Sequence, residues 1–189
     1  DVSLVGSEMC IRDRYGSKHI AYSLQEEAVY GLTEIYKEKI KNGSLIACTG
    51  CNSAATLYPV LPLLSKGVIK GDNLTINIGA GVSGAGRDAK QNIIHAEVSE
   101  GIKPYNIGKH RHIAELEQEF KKATDNKIGI TFIPHLLPQN RGVLVSIPLA
   151  SPASIVHKTL KNFYKNAPFI IVLPIEDCLL YTSDAADEK

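Results

Sequence analysis

No apolar run in the 189-residue sequence approaches the roughly 20 residues that a helix needs to cross a bilayer, so no helical membrane span is expected. An excess of charge of one sign is lacking too. Net charge is +1 and the Lys and Arg residues are scattered rather than clustered, which removes nucleic acid and membrane surfaces as expected partners. The four cysteines have no regular spacing, which excludes a disulfide framework and points to a reducing, cytoplasmic compartment. What is present is 44% hydrophobic and 22% charged residues, enough for one sizeable core in a chain too short for two full domains.

The two ends do not share the patterning of the middle. Residues 1–13 (DVSLVGSEMCIRD) and 178–189 (CLLYTSDAADEK) show no helix or strand period, and both resemble translated sequencing-adapter read-through. They are set aside as non-native tails, and Cys10 and Cys178 go with them. The stretch between them reads as internal to a longer protein.

That stretch is organised around Ala47-Cys48-Thr49-Gly50-Cys51-Asn52-Ser53-Ala54-Ala55-Thr56. A short apolar run, Leu45 to Ala47, reads as a buried strand, and Cys51 opens a series of small, helix-tolerant residues. This order places Cys51 at the first turn of a helix. There the unpaired N–H groups and the positive end of the macrodipole favour a thiolate, the form that attacks carbonyl carbon. Cys51 is therefore the candidate nucleophile, although a cysteine among alanines also fits a small buried hydrophobe.

Upstream, Ser23 and Glu26 have capping-box spacing and Leu24, Ala28 and Val29 begin an apolar helical face. Gly31 interrupts it, and a second helix is expected from Thr33 to Asn42-Gly43. Beyond Cys51, Leu57, Leu61 and Leu64 continue one face of a helix that Pro59 and Pro62 are expected to kink or shorten. Lys66-Gly67 and Lys70-Gly71-Asp72 read as turns, and the alternation from Asn73 to Ile78 reads as a strand.

Gly79-Ala80-Gly81-Val82-Ser83-Gly84 is a literal G-x-G-x-x-G after that strand, with Glu97 and Glu100 about 20 residues on. The dinucleotide fingerprint needs a helix opening at its last glycine, whereas Ala85-Gly86-Arg87-Asp88 continues the loop and adds charge. Two other uses fit the residues: a loop that brings Ser83 and backbone N–H groups to an anion, or a plain turn. Further on, His110-Arg111-His112-Ile113-Ala114-Glu115 begins a helix with Ile113, Leu116 and Phe120 on one face. The i, i+3 spacing lets Glu115 meet His112, fixing its tautomer and raising its pKa as a general acid/base requires. A pair of surface histidines at a helix start is the plainer alternative.

The last third has strand-like runs at Ile128 to Ile133 and Gly142 to Leu149, with Pro134-His135-Leu136-Leu137-Pro138 between them. A helix capped by Ser154 follows, through Tyr164, and then an apolar strand from Phe169 to Leu173. Alternating strands and helices give an α/β class, with a sheet covered by helices.

Over residues 15–176 the chain resembles the N-acetyl-gamma-glutamyl-phosphate reductases of arginine biosynthesis, relatives of aspartate-semialdehyde dehydrogenase. The resemblance is carried by Glu26-Glu27-Ala28-Val29-Tyr30-Gly31-Leu32, Gly50-Cys51, Gly81-Val82-Ser83-Gly84-Ala85-Gly86-Arg87 and Tyr105 to Glu115. It continues in Pro134 to Pro138 with Asn140-Arg141-Gly142, and in Phe163-Tyr164 before Pro168-Phe169. It implies a mixed-sheet, glyceraldehyde-3-phosphate-dehydrogenase-like catalytic and dimerisation domain over 51–177, preceded over 14–50 by a remnant of a Rossmann domain. By the resemblance Cys51 carries a thioester, His112 is the acid/base with Glu115 beside it, and Ser83, Tyr105, His110 and Arg141 line the substrate and phosphate site. NADPH would reduce the thioester to the semialdehyde, with the nucleotide loop lying outside this stretch, so that the stretch alone does not turn over. The backbone N–H of Asn52, at the helix start, is an oxyanion donor. A small-molecule acyl phosphate is the implied substrate, in a homo-oligomer, dimer or tetramer.

The chain departs from the family's usual Pro-Gly-Cys-Tyr and His-x-Pro-Glu with Thr49-Gly50-Cys51-Asn52 and Ala114. Both variants resemble related reductases acting on carrier-protein-linked aminoadipyl or glutamyl phosphate, which stay open as an alternative. A rival of another class takes Cys48-Thr49-Gly50-Cys51 as C-x-x-C, completed by His110 and His112 into a zinc or redox module without catalysis.

Overall fold

The computed structural model describes residues 22–69, 73–86 and 91–177. The expected turn at Lys70-Gly71-Asp72, the Arg87-Asp88 part of the glycine-rich loop and both tails lie outside the described residues, as does the side chain of Ser23.

Helix α1 (Tyr22–Glu27) is short, and the chain then enters strand β1 (Val29–Tyr30). The expected helical face through Ala28 and Val29 is corrected here. Val29 N–H bonds Leu45 O at 2.9 Å and Gly31 N–H bonds Ala47 O at 2.8 Å, so pairing with strand β2 (Ile46–Ala47) replaces the helical ladder. A β-branched residue gains from this exchange. Between the two parallel strands lies helix α2 (Thr33–Asn42), bent at Tyr36, with Glu34 in its first turn and Lys39 and Lys41 in its last, as the macrodipole favours.

Helix α3 (Cys51–Ser65) begins at Cys51 as expected, with Gly50 as its N-cap. It runs through Pro59 and Pro62 to Ser65, so that of the expected kink or shortening the shortening does not occur. Pro62 has no N–H for the carbonyl of Tyr58, and the hydroxyl of Tyr164 donates to that oxygen instead, at 2.6 Å. Tyr164 comes from the far end of the chain and is buried. The helix ends at Ser65 with Lys66 as its C-cap, and the φ of +64° at Gly67 permits the paired bonds Gly67 N–H to Leu64 O and Val68 N–H to Leu63 O.

Strand β3 (Asn73–Gly81) follows, and its alternation turns Leu74, Ile76, Ile78 and Ala80 into the core. The short helix α4 (His95–Val98), strand β4 (Lys103–Pro104), helix α5 (Ile113–Ala123), strand β5 (Gly129–Leu137), strand β6 (Val143–Ser146) and helix α6 (Ala153–Phe163) complete the order. The sheet reads β4-β5-β3-β6, with β5 parallel to β3 from Asn73↔Gly129 to Gly81↔Leu137, and β6 and β4 antiparallel to their neighbours. Helix α3 packs on this sheet and against α5 and α6. Its Leu57, Val60, Leu63 and Leu64 meet Ile76, Ile78, Leu116, Phe120 and Phe132 in one core. This is the α/β mixed sheet covered by helices that the alternation of elements implies. No helix among the described residues is long and apolar enough to cross a membrane.

Three expectations for the last third are corrected. Strand β5 does not end before Pro134 but passes through it. The carbonyl of Pro134 accepts from Tyr105 N–H at 3.0 Å, so its missing N–H falls on the same, β4 side and costs the pairing with β3 nothing. Pro152, not Ser154, is the N-cap of α6. Residues 169–173 form no strand: Phe169 and Ile171 are more than four-fifths exposed, and the segment is tied by Phe169 N–H to Glu34 (3.1 Å) and by Leu173 O to His157 Nε2 (2.9 Å).

Candidate active site

Strand β2 delivers the chain to Gly50, and the start of α3 presents Cys51 exposed at its first position. An N-terminus of this kind leaves its first N–H groups without intrahelical partners, that of Asn52 among them. The side chain of Asn52 is buried and bridges two candidates. Its Oδ1 accepts from Cys51 Sγ at 3.6 Å and its Nδ2 donates to Tyr105 Oη at 3.4 Å.

The loop from Tyr105 to His112 closes over this start. Positive φ at Asn106 (47°) and Gly108 (69°) turns it back on itself, so that the rings of Tyr105 and His110 meet edge to face at 5.5 Å. His110 also lies 4.6 Å from the ring of His112 and 5.1 Å from that of Phe132. His110 Nδ1 accepts the backbone N–H of His112 at 3.2 Å, which leaves the proton of the neutral ring on Nε2. His112 is the N-cap of α5, and its imidazole rests directly on the α-carbon of Gly50. A Cβ at Gly50 would overlap Nε2, Cδ2 and Cε1 of that ring. The close approach is a reason for glycine at position 50.

Glu115 sits in the first turn of α5, 2% exposed. Its Oε2 accepts from Tyr30 Oη at 2.7 Å and from Gly50 N–H at 3.1 Å, while Oε1 lies 3.9 Å from His112 Nε2. The expected meeting of Glu115 and His112 thus occurs, but it does not raise the histidine. Burial, with His110 and Arg111 nearby, pushes His112 down to about 3, and burial and Arg111 push His110 down to about 4. The expectation of a raised pKa is corrected for a geometric reason: the carboxylate spends its short bonds on Tyr30 and Gly50. Both imidazoles are neutral near pH 7. Burial also raises Tyr105, so its hydroxyl keeps its proton.

Cys51, Asn52, Tyr105, His110, His112 and Glu115 therefore form one group. Ser83 and Arg141 form another, where the turn Val82–Ala85 meets the loop before Gly142. Gly81, Val82 and Ser83 N–H groups donate to the carbonyls of Gly142, Gln139 and Asn140. Those three donors are committed within the protein, which of the two uses left open favours the plain turn, and Ser83 and Arg141 themselves are exposed. Among the described residues no hydrogen bond or ring contact joins this pair to the Cys51 group. The last glycine of the G-x-G-x-x-G, Gly84, lies inside the 3₁₀ turn Val82–Ala85, which follows Gly81, and opens no α-helix, so the stretch does not fit a dinucleotide. Among the described residues no group of three or more His, Cys, Asp or Glu side chains is placed to hold a metal ion.

Sequence reasoning assigned no role to Tyr30, to the side-chain amide of Asn52 or to Phe132. Tyr30 lies in the Glu26 to Leu32 stretch, but its bond to Glu115 spans 85 residues and no local pattern announces it.

A family profile described as "Semialdehyde dehydrogenase, dimerisation domain" matches residues 51–186. N-acetyl-gamma-glutamyl-phosphate reductases of Rhodobacter capsulatus and Roseobacter denitrificans are 47% and 48% identical over 161 residues, 85% of this chain and 47% of each relative. The chain thus spans about half the length of these curated relatives. Two crystal structures of aspartate semialdehyde dehydrogenase II from Vibrio cholerae superpose with a TM-score of 0.52. One, at 15% identity, covers 72% of this chain and 49% of its own. The other, a complex at 12% identity, covers 81% and 55%. At that identity they share the fold.

Proposed function

The chain belongs to the semialdehyde dehydrogenase family through its dimerisation domain, and from that premise we propose that it carries the acyl-transfer site of an N-acetyl-γ-glutamyl-phosphate reductase. The observation that carries this reading is the imidazole of His112 seated on Gly50, next to a cysteine at a helix start. The names of the relatives at 47% and 48% identity support the acyl group, and with it a place in arginine biosynthesis and the cytoplasm.

The thiol of Cys51 attacks the carbonyl carbon of the γ-acyl phosphate, and inorganic phosphate leaves with the electrons of the broken C–O bond. A thioester on Sγ remains. A neutral His112 must take up a proton before it can give one, and the proton of the Cys51 thiol is the one on offer. The N–H groups at the start of α3, that of Asn52 included, face the developing oxyanion; one such donor is worth about 3 kcal/mol of barrier. Tyr105, protonated, is a further donor beside the sulfur, with His110 Nε2–H behind it. Ser83 and Arg141 are assigned to the substrate phosphate by resemblance. The glycine-rich stretch does not make a dinucleotide site, so NADP(H), which would supply the hydride that reduces the thioester, is assigned to the whole protein. Assembly as a homo-oligomer belongs to the same reading.

Intact mass of the chain after exposure to N-acetyl-γ-glutamyl phosphate tests the proposal. One acyl adduct is expected on the parent and none on Cys51→Ser, a nearly isosteric change, with circular dichroism showing both folded. A folded parent that stays unmodified overturns the acetylated substrate and moves the reading to a carrier-linked one.

A further inference from the structure

Glu115 joins parts of the chain that are far apart in sequence. One oxygen of its buried carboxylate holds both the hydroxyl of Tyr30 and the N–H of Gly50, and the other faces His112. Tyr30 is itself buried and stands on β1, beside the strand that leads into Gly50-Cys51. Burial and the neighbouring carboxylate raise its ionisation, so the phenol remains a donor at any working pH. One helical turn beyond, the fully buried Glu119 accepts from Tyr36 Oη and from Lys122 Nζ. Two tyrosine–glutamate bonds therefore fasten α5 to the segment from Tyr30 to Tyr36. The first alone reaches the peptide before the nucleophile.

We propose that Tyr30 is a positioning residue for acyl transfer: by holding Oε2 of Glu115 it fixes the Gly50 peptide, and the His112 ring lying on it, in place beside Cys51. This rests on the acyl-transfer reading above. A buried carboxylate with two donors on one oxygen has a defined orientation. Deprived of the phenol, it turns toward its remaining partners, Gly50 N–H and His112, and both border Cys51. Small displacements of this kind are costly where the reacting groups must be aligned.

Tyr36 supplies the control, since its bond to the same helix touches neither Gly50 nor His112. Tyr30→Phe and Tyr36→Phe each remove one oxygen atom. Two readouts apply, below the thermal midpoints of both variants: the amide resonance of Gly50, and single-turnover acylation of Cys51 by N-acetyl-γ-glutamyl phosphate. Tyr30→Phe is expected to move the Gly50 amide and to lower the maximal acylation rate about tenfold at unchanged half-saturation. Tyr36→Phe is expected to lower the thermal midpoint only. A Gly50 amide that stays in place in Tyr30→Phe, or moves equally in Tyr36→Phe, overturns the proposal. A folded parent that is not acylated overturns the acetylated substrate of the acyl-transfer reading, and the Gly50 amide then decides the role of Tyr30 by itself.

Discussion

At Gly50 a side chain is costly for a steric rather than a conformational reason. Its φ of −68° and ψ of 145° suit any residue, but the ring of His112 fills the space a Cβ needs. Gly50→Ala should therefore lower the thermal midpoint and cut Cys51 acylation about a hundredfold by evicting the imidazole. Adding His112→Ala should restore the midpoint but not the acylation, because the clash is gone and so is the proposed base. Calorimetry and the mass assay together check both halves. At this scale the helix start at Cys51 and the i, i+3 approach of Glu115 to His112 were legible in the sequence. The bonds of Glu115 to Tyr30 and Gly50 were not legible, and neither was the downward shift of His112. Both depend on how the chain packs around the start of α5, between residues 65 and 85 positions apart for the two bonds.

Helix α3 shows how an element outlives its local rules. Pro62 frees the carbonyl of Tyr58, and the hydroxyl of Tyr164 answers it from the loop after α6. Tyr164→Phe should destabilise by about 1–2 kcal/mol, the cost of a buried acceptor without a partner. In a Pro62→Ala background the cost should shrink, since the alanine N–H satisfies the same oxygen; a double-mutant cycle by denaturant unfolding measures that coupling. Additive effects would mean that Tyr164 acts by packing alone. Strand β5 passes through Pro134 for a related reason, because the missing N–H falls on the β4 side. Local chemistry marked both prolines as breakers. Whether they break anything depends on what stands beside them.

For the whole molecule, the two buried histidines set an acid limit. The folded state holds His110 at about 4 and His112 at about 3, against an ordinary 6.5, so the unfolded chain takes up those protons first. Their contribution is intact above pH 6.5 and is lost as pH falls toward 4 and then 3. The thermal midpoint should fall across that window, and His110→Gln with His112→Asn should flatten the fall; an equally steep fall in the double variant would assign the acid limit to other groups. The α/β class with a sheet covered by helices, and the strand–Gly–Cys–helix order, were determined by the sequence alone. Periodicity and turn chemistry act between neighbours and are written in the chain. Only the tertiary structure decided that Tyr30 holds Glu115, that the glycine-rich loop spends its donors on residues 139–142, and that 169–173 stays out of the sheet. Each of these turns on which polar group or strand edge is left unpaired once the sheet has closed, and that is a property of the packed molecule.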